Sequence, residues 1–500
     1  MGRDEVIRQW CGRIAPQLHP RAGPVRIGTR RRAAHQSKEP PTMTERSTPI
    51  HLLEAADAEA ALSALPAPAQ AWARLQGFTG VLGQVVQIPD ADGALSLVLF
   101  GWGDARARAR GRFHIASLAA ALPGGSYRLA APLAPDDAAE AALAWELSRY
   151  RFTRYRAANN TPAAVLETPE GVDPARLAAI ADGTRLTRDL INTPAEDMGP
   201  AEIEAALRNL AAAHGAEMSA IVGDDLLAAR LTLIHAVGRA SGPARAPRLL
   251  DMRWGAADAP KITLVGKGVA FDTGGLSIKP AGSMALMKKD MGGAANVIGL
   301  AAMIMALKLP VRLRVLIPAL ENSIAGNAFR PGDIFPSRAG LTVEINNTDA
   351  EGRLALADAL AVGQEEAPDL LVSMATLTGA ARVALGPDLP PFYTDDDALA
   401  ADIAAGAARA RDPLWRMPFW DPYEDLIEPG IADLDNAPAG GMAGSVTAAL
   451  FLRRFAGGAK RFAHFDIYGW VPVPKPGRPK GGEMQGARAL LAMLEHRFGV

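Results

Sequence analysis

The chain has 500 residues, 49% of them hydrophobic and 21% charged, with a formal net charge of −1 and a single cysteine, Cys11. That length carries two or three globular domains, and the balance excludes collagen-like, coiled-coil and disordered chains. Near-neutral charge gives no global field for nucleic acid or an anionic membrane, and one cysteine excludes an internal disulfide framework and a cysteine-based zinc cluster.

The N-terminal segment differs from everything after it. It carries Arg3, Arg8, Arg13, Arg21, Arg26 and the run Arg30-Arg31-Arg32 against only Asp4, Glu5 and Glu39. With no apolar stretch of secretory type, residues 1–46 read as a basic leader, a disordered tail or mis-assigned start. A transit peptide or a nucleic-acid arm are the other readings. From 47 to 170, apolar runs (Val85 to Ile88, Leu95 to Gly101, Tyr127 to Ala131) alternate with alanine-rich ones (Ala55 to Leu65, Ile115 to Leu122, Asp137 to Tyr150). This predicts a smaller N-terminal α/β domain. Arg106, Arg108, Arg110 and Arg112 alternate with small residues in it, as a solvated face or a phosphate-contacting edge. A connecting helix is expected over 171–190, ending at Asn192-Thr193-Pro194, where the proline disfavours helix in its predecessor.

The remainder, 185–500, repeats the strand-then-helix rhythm more strongly. Strands are expected at Ile262 to Val265, Arg312 to Pro318, Leu341 to Ile345, Leu370 to Ala375 and Phe462 to Ile467, with helices at Ala294 to Leu307, Leu354 to Glu366 and Val446 to Phe455. The fold class is therefore α/β, with a C-terminal mixed, largely parallel sheet flanked by helices. The uncharged run Met291 to Leu307 falls short of a membrane span and reads as a buried helix.

Chemistry concentrates in two places. Asn347-Thr348-Asp349-Ala350-Glu351-Gly352-Arg353-Leu354 sets two carboxylates and a guanidinium within five residues. Read as extended chain, Asp349, Glu351 and Arg353 share one face. Upstream, Lys267, Asp272, Lys279 and Asp290 are threaded through glycine-rich segments that let backbone approach a ligand closely. In a parallel sheet such groups converge beyond the carboxyl ends of the strands. There is no His-Glu-x-x-His pair, no Gly-x-Ser-x-Gly elbow, no Walker loop and no Gly-x-Gly-x-x-Gly. His464 reads as a hydrogen-bonded core histidine. A metal-free salt network would be expensive to bury, so the cluster reads as a two-metal hydrolase site.

These residues resemble the signature of the leucyl aminopeptidase family, dinuclear metallo-aminopeptidases. The likeness extends through Gly326 to Asp333, Ala375 to Ala380, Thr447 to Leu452 and His464 to Ile467. It implies a hydrolase that removes the N-terminal residue of peptides through a metal-bridging hydroxide. Carried over by position, one metal would be held by Asp272, Asp349 and Glu351, the other by Lys267, Asp272, Asp290 and Glu351. The catalytic groups would be Lys279, for the oxyanion, and Arg353, holding a bicarbonate. Oxygen ligands with one amine suit Zn²⁺, Mn²⁺, Co²⁺ or Mg²⁺ without singling one out, and Zn²⁺ or Mn²⁺ are the ions expected. The first side chain would meet Met287, Thr376, Gly379 and Tyr468, the last standing where the family has alanine. The resemblance also implies a homohexamer. Peptides are the expected partners, with nucleic acid as a further reading and no membrane, and the location is cytoplasmic. The alternatives are a DNA-binding accessory protein on the same fold and another two-metal hydrolase.

Overall fold

The computed structural model describes residues 47–158 and 161–499. The basic leader expected over 1–46 lies outside them. Strands β1 (Thr48–Glu54), β2 (Val85–Pro89), β3 (Leu95–Gly103), β4 (Gly125–Leu129) and β5 (Ala164–Leu166) form a sheet in the order β2-β3-β1-β4-β5. Val98, Leu99 and Phe100 are fully buried in β3, where the apolar run packs on both faces. This is the expected smaller α/β domain. A helix, Pro174–Asn192, leads out of it and stops where Thr193, before Pro194, turns extended.

The C-terminal part adds β6 (Glu217–Val222), β7 (Arg248–Trp254), β8 (Lys261–Gly266), β9 (Gly268–Asp272), β10 (Arg312–Asn322), β11 (Ile334–Pro336), β12 (Thr342–Glu344), β13 (Leu370–Ala375), β14 (Pro391–Tyr393), β15 (Trp415–Met417), β16 (Leu434–Asp435) and β17 (Phe462–Asp466). Nine of these form one mixed sheet, β15-β14-β17-β13-β8-β10-β7-β6, with β9 continuing alongside β10. The pairs β13–β17, β13–β8 and β8–β10 are parallel, and β7 and β6 are added antiparallel at one side. The uncharged run forms the helix Gly292–Ala306, buried nearly throughout against the sheet. No helix among the described residues is long and apolar enough to cross a membrane.

Three expectations change. The strand read at Leu341 to Ile345 is β12, and it belongs to a separate three-stranded sheet with β11 and β16. Glu351 opens the helix Glu351–Gln364, so it does not share an extended face with Asp349 and Arg353. The arginine-rich stretch is neither a solvated face nor a phosphate edge throughout. A short helix, Ala105–Arg108, turns Arg108 onto Glu54 at 2.7 Å, and Arg112 packs over the Phe113 ring.

Candidate metal centre

The sheet delivers its charges at the carboxyl ends of neighbouring strands. Lys267 directly follows β8, Asp272 ends β9, Asn322 ends β10, Thr376 follows β13 and Asp466 ends β17. Backbone bonds fix the first of these. The Lys267 N–H donates to the Met374 carbonyl at 3.0 Å, and the Lys267 carbonyl accepts from the Ala294 N–H at 2.8 Å. Asp290 comes from a 3₁₀ turn, Met287–Met291, just before the buried helix. The carboxylates of Asp272, Asp290 and Glu351 present oxygens that all lie within 4.8 Å of one another.

Around this trio the basic groups are distributed by proximity. Lys267 Nζ lies 2.6 Å from Asp290 Oδ2 and 2.9 Å from Glu351 Oε1, and it donates to the Thr376 carbonyl at 3.2 Å. Lys279 Nζ lies 2.8 Å from Asp272 Oδ2 and also pairs with Asp349. Asp349 stands outside the trio, half-exposed beside Lys279. Arg353 is buried behind the cluster and donates from Nη1 to the Asn436 carbonyl at 2.7 Å, while its Nε has no partner among the described residues.

Residues that sequence reasoning missed hold these groups in place. Asn322 Nδ2 donates to Asp272 Oδ1 and to the Thr348 carbonyl, both at 2.9 Å. The Asn436 amide clamps the octapeptide, accepting from the N–H groups of Asn346 and Asn347 and donating to the Asn347 carbonyl. Thr376 Oγ1 donates to Asp290 Oδ1 at 2.9 Å. Gly352 is required by contact, because a Cβ there would lie 2.5 Å from Lys267 Cε.

The electrostatics identify what is missing from the protein atoms alone. Burial, reinforced by the Asp272 charge, pushes Glu351 up to about 8, and burial with the Asp290 charge pushes Asp272 up to about 6. Burial opposes ionisation of Asp290 too, but Lys267 and Lys289 outweigh it and hold that carboxyl below its usual range. Glu351 Oε2 accepts no hydrogen bond among the described residues, and Oε1 meets Lys267 Nζ alone, at 2.9 Å. A buried carboxylate with one lysine against it, beside two more carboxylates, is costly unless further cations neutralise it. Oxygen ligands at this spacing with one amine nitrogen fit divalent cations.

These groups open onto one cavity of about 420 Å³. Lys267, Asp272, Lys279, Asp290, Asp349 and Glu351 line it, as do Met287, Thr376, Gly379 and Tyr468; Arg353 does not. Lys289 also reaches the wall, pushed down to about 8 by burial. The Tyr468 ring receives Lys289 Nζ at 5.0 Å and the Arg382 guanidinium at 5.3 Å from its centroid. Trp470, the second large aromatic of that segment, instead meets Lys288, which is bonded to the Asn192 carbonyl. His464 is fully buried, bonded through Nδ1 to Ser373 Oγ at 2.6 Å and driven down to about 3 by burial, as a core histidine should be.

Residues 185–491 match the model of the cytosol aminopeptidase family, catalytic domain, and residues 48–169 match that of the M17 aminopeptidase N-terminal domain. A probable cytosol aminopeptidase of Roseiflexus castenholzii is 43% identical over 336 residues, covering 66% of this chain and 68% of that one. Its counterpart in Caulobacter vibrioides is 38% identical over 445 residues, covering 84% and 89%. The crystal structure of the cytosol aminopeptidase from Coxiella burnetii superposes with a TM-score of 0.85 at 43% identity, over 91% of this chain and 98% of that one. The bottromycin maturation enzyme BotP in complex with Mn superposes with a TM-score of 0.81 at 34% identity, over 90% and 99%. With both halves of the chain matched in order and the fold reproduced nearly end to end, this chain belongs to the cytosol aminopeptidase family.

Proposed function

We propose that this metal-dependent aminopeptidase hydrolyses the N-terminal residue from peptides with two divalent cations, Zn²⁺ or Mn²⁺, held by Lys267, Asp272, Asp290, Asp349 and Glu351. The observation that carries the proposal is the Glu351 carboxylate, buried against Asp272 and Asp290, with Lys267 alone in contact with Oε1 at 2.9 Å and Oε2 without a donor among the described residues. Four carboxylates balance two divalent ions. Lys267 then has no charge left to answer, and burial beside metal favours its neutral amine as a ligand. Bound there, the cations supply Lewis acidity that polarises the scissile carbonyl and brings the pKa of a water toward neutrality.

The chain's own groups have separate tasks. Burial opposes the Lys279 charge, but Asp272 and Glu351 outweigh it and hold the ammonium above the ordinary lysine range. It therefore donates to the oxygen that becomes anionic as the peptide carbonyl is attacked. Burial brings Arg353 down to about 10, which leaves it protonated at neutral pH and unable to act as a base. We assign Arg353 to hold a bicarbonate ion as the base. An Nε without a partner among the described residues, on a cation set behind the cavity wall, supports this assignment.

The proposal includes the domain limits 47–170 and 185–500 joined by a helix over 171–190, a cytoplasmic location and a homohexamer. The name of the relatives, probable cytosol aminopeptidase, supports the location. The hexamer rests on the resemblance and is tested by light scattering. Glu351→Ala tests the whole reading. It should abolish amino-acid release and lower metal occupancy together, and a variant that keeps both removes Glu351 from the centre.

A further inference from the structure

The far wall of the cavity carries more positive charge than its protein surroundings answer. Lys289 sits in the turn Met287–Met291, one residue before Asp290, and is 7% exposed. Its side chain is aimed into the cavity, where the Tyr468 ring 5.0 Å away is its recorded neighbour. It makes no ion pair among the described residues. The two carboxylates that act on it from a distance are Asp290 and Asp466. Asp290 is paired with Lys267 and bonded to Thr376. Asp466 accepts from the N–H groups of Leu377 and Thr378 and from the hydroxyls of Thr378 and Ser445. Arg382, on the helix Gly379–Leu385, lines the same wall and approaches the same ring, also without an ion pair among the described residues.

We propose that Lys289 and Arg382, set against Tyr468, make the pocket for the substrate's first side chain selective for an acidic residue, so that the preferred peptides begin with glutamate or aspartate. The proposal rests on the aminopeptidase reading above and names its substrate class. A buried ammonium without a carboxylate partner is costly, and an apolar side chain placed against it leaves that cost in place. An incoming carboxylate removes it through a charge-assisted hydrogen bond to Lys289, with Arg382 as the second donor. Tyr468 lines the same cavity, and its ring face lies against both cations at 5.0 and 5.3 Å.

One charge-assisted hydrogen bond made only by the acidic substrate corresponds to a preference of roughly 10 to 150-fold. The test is kcat/KM for the p-nitroanilides of glutamate, aspartate, leucine and alanine, with the manganese-loaded full chain, Lys289→Met and the exposed-site variant Arg382→Ala. Calorimetric titration of L-glutamate and L-leucine reads the same preference without turnover. The expected result is a glutamate-to-leucine ratio above about 10 in the unaltered chain, falling in Arg382→Ala and falling further or inverting in Lys289→Met. If Lys289→Met does not fold, Arg382→Ala and the titrations still decide. Faster release of leucine than glutamate, or a ratio that neither variant moves, overturns the acidic pocket while leaving the aminopeptidase standing. No release from any substrate overturns the aminopeptidase reading instead.

Discussion

Gly352→Ala is the sharpest small perturbation of the proposed metal centre. Its added Cβ would lie 2.5 Å from Lys267 Cε and 2.6 Å from Lys267 Nζ, in a fully buried site. Non-bonded carbon atoms rest about 3.5–4.0 Å apart, so Lys267 has to retreat by roughly 1 Å. That retreat pulls Nζ from its place 2.6 Å from Asp290 and 2.9 Å from Glu351. Lys267 lines the cavity and can shift into it, at the loss of its two close carboxylate contacts, so the cost lies within the overpacking range of about 1–3 kcal/mol. At a few degrees per kcal/mol, the melting temperature should fall by about 2–10 °C. A ligand displaced by about 1 Å should lower kcat by about a hundredfold. Thermal unfolding, metal analysis and steady-state rates on the folded variant read these effects separately. Gly326→Ala is the control, since a Cβ there meets nothing within 4 Å. Unchanged kcat and metal content in Gly352→Ala would refute the placement of Lys267 at the centre.

Two other outcomes follow from the same electrostatics. In chelator-treated protein, Glu351 is raised from 4.5 to about 8 and Asp272 from 3.8 to about 6. The folded chain then binds more protons than the unfolded one across that window, so stability contributed by the protonated carboxyls is present at low pH and lost as pH rises from about 4 to 8. The gain in melting temperature on adding Mn²⁺ should accordingly grow with pH, and a gain that shrinks over this range contradicts the cluster's electrostatics. Far from the centre, Glu483 is buried at 3.0 Å from Arg188, 3.6 Å from Arg478 and 4.0 Å from Arg488. Glu483→Gln should cost about 3–5 kcal/mol by leaving buried guanidiniums unanswered, and a melting temperature within a degree of the unaltered chain refutes that.

How much of this was legible in the sequence depended on whether a residue's role is local. Leu370–Ala375 is a strand over the expected residues, because a continuous apolar run ended by polar residues suits a central parallel strand buried on both faces. The octapeptide was legible as a charge cluster, yet its backbone was not. Asp349, Glu351 and Arg353 alternate as a strand would, while Glu351 starts a helix whose N-terminal dipole favours an acid. Asn322 and Asn436 act across long sequence separations and carry no periodic mark. The strand Glu217–Val222 escaped notice because, at the sheet's edge, it has no buried face. Nothing local in the sequence marks Lys289 as buried, since the 3₁₀ turn is what directs it inward.

On the function proposed above, the buried carboxylates hold a pair of cations that the reaction needs. Elemental analysis of the purified, active chain, run beside amino-acid release before and after chelation, measures this directly. The account predicts about two divalent ions per chain, with release lost on chelation and restored by Mn²⁺ or Zn²⁺. Full activity from protein stripped of bound metal would contradict it.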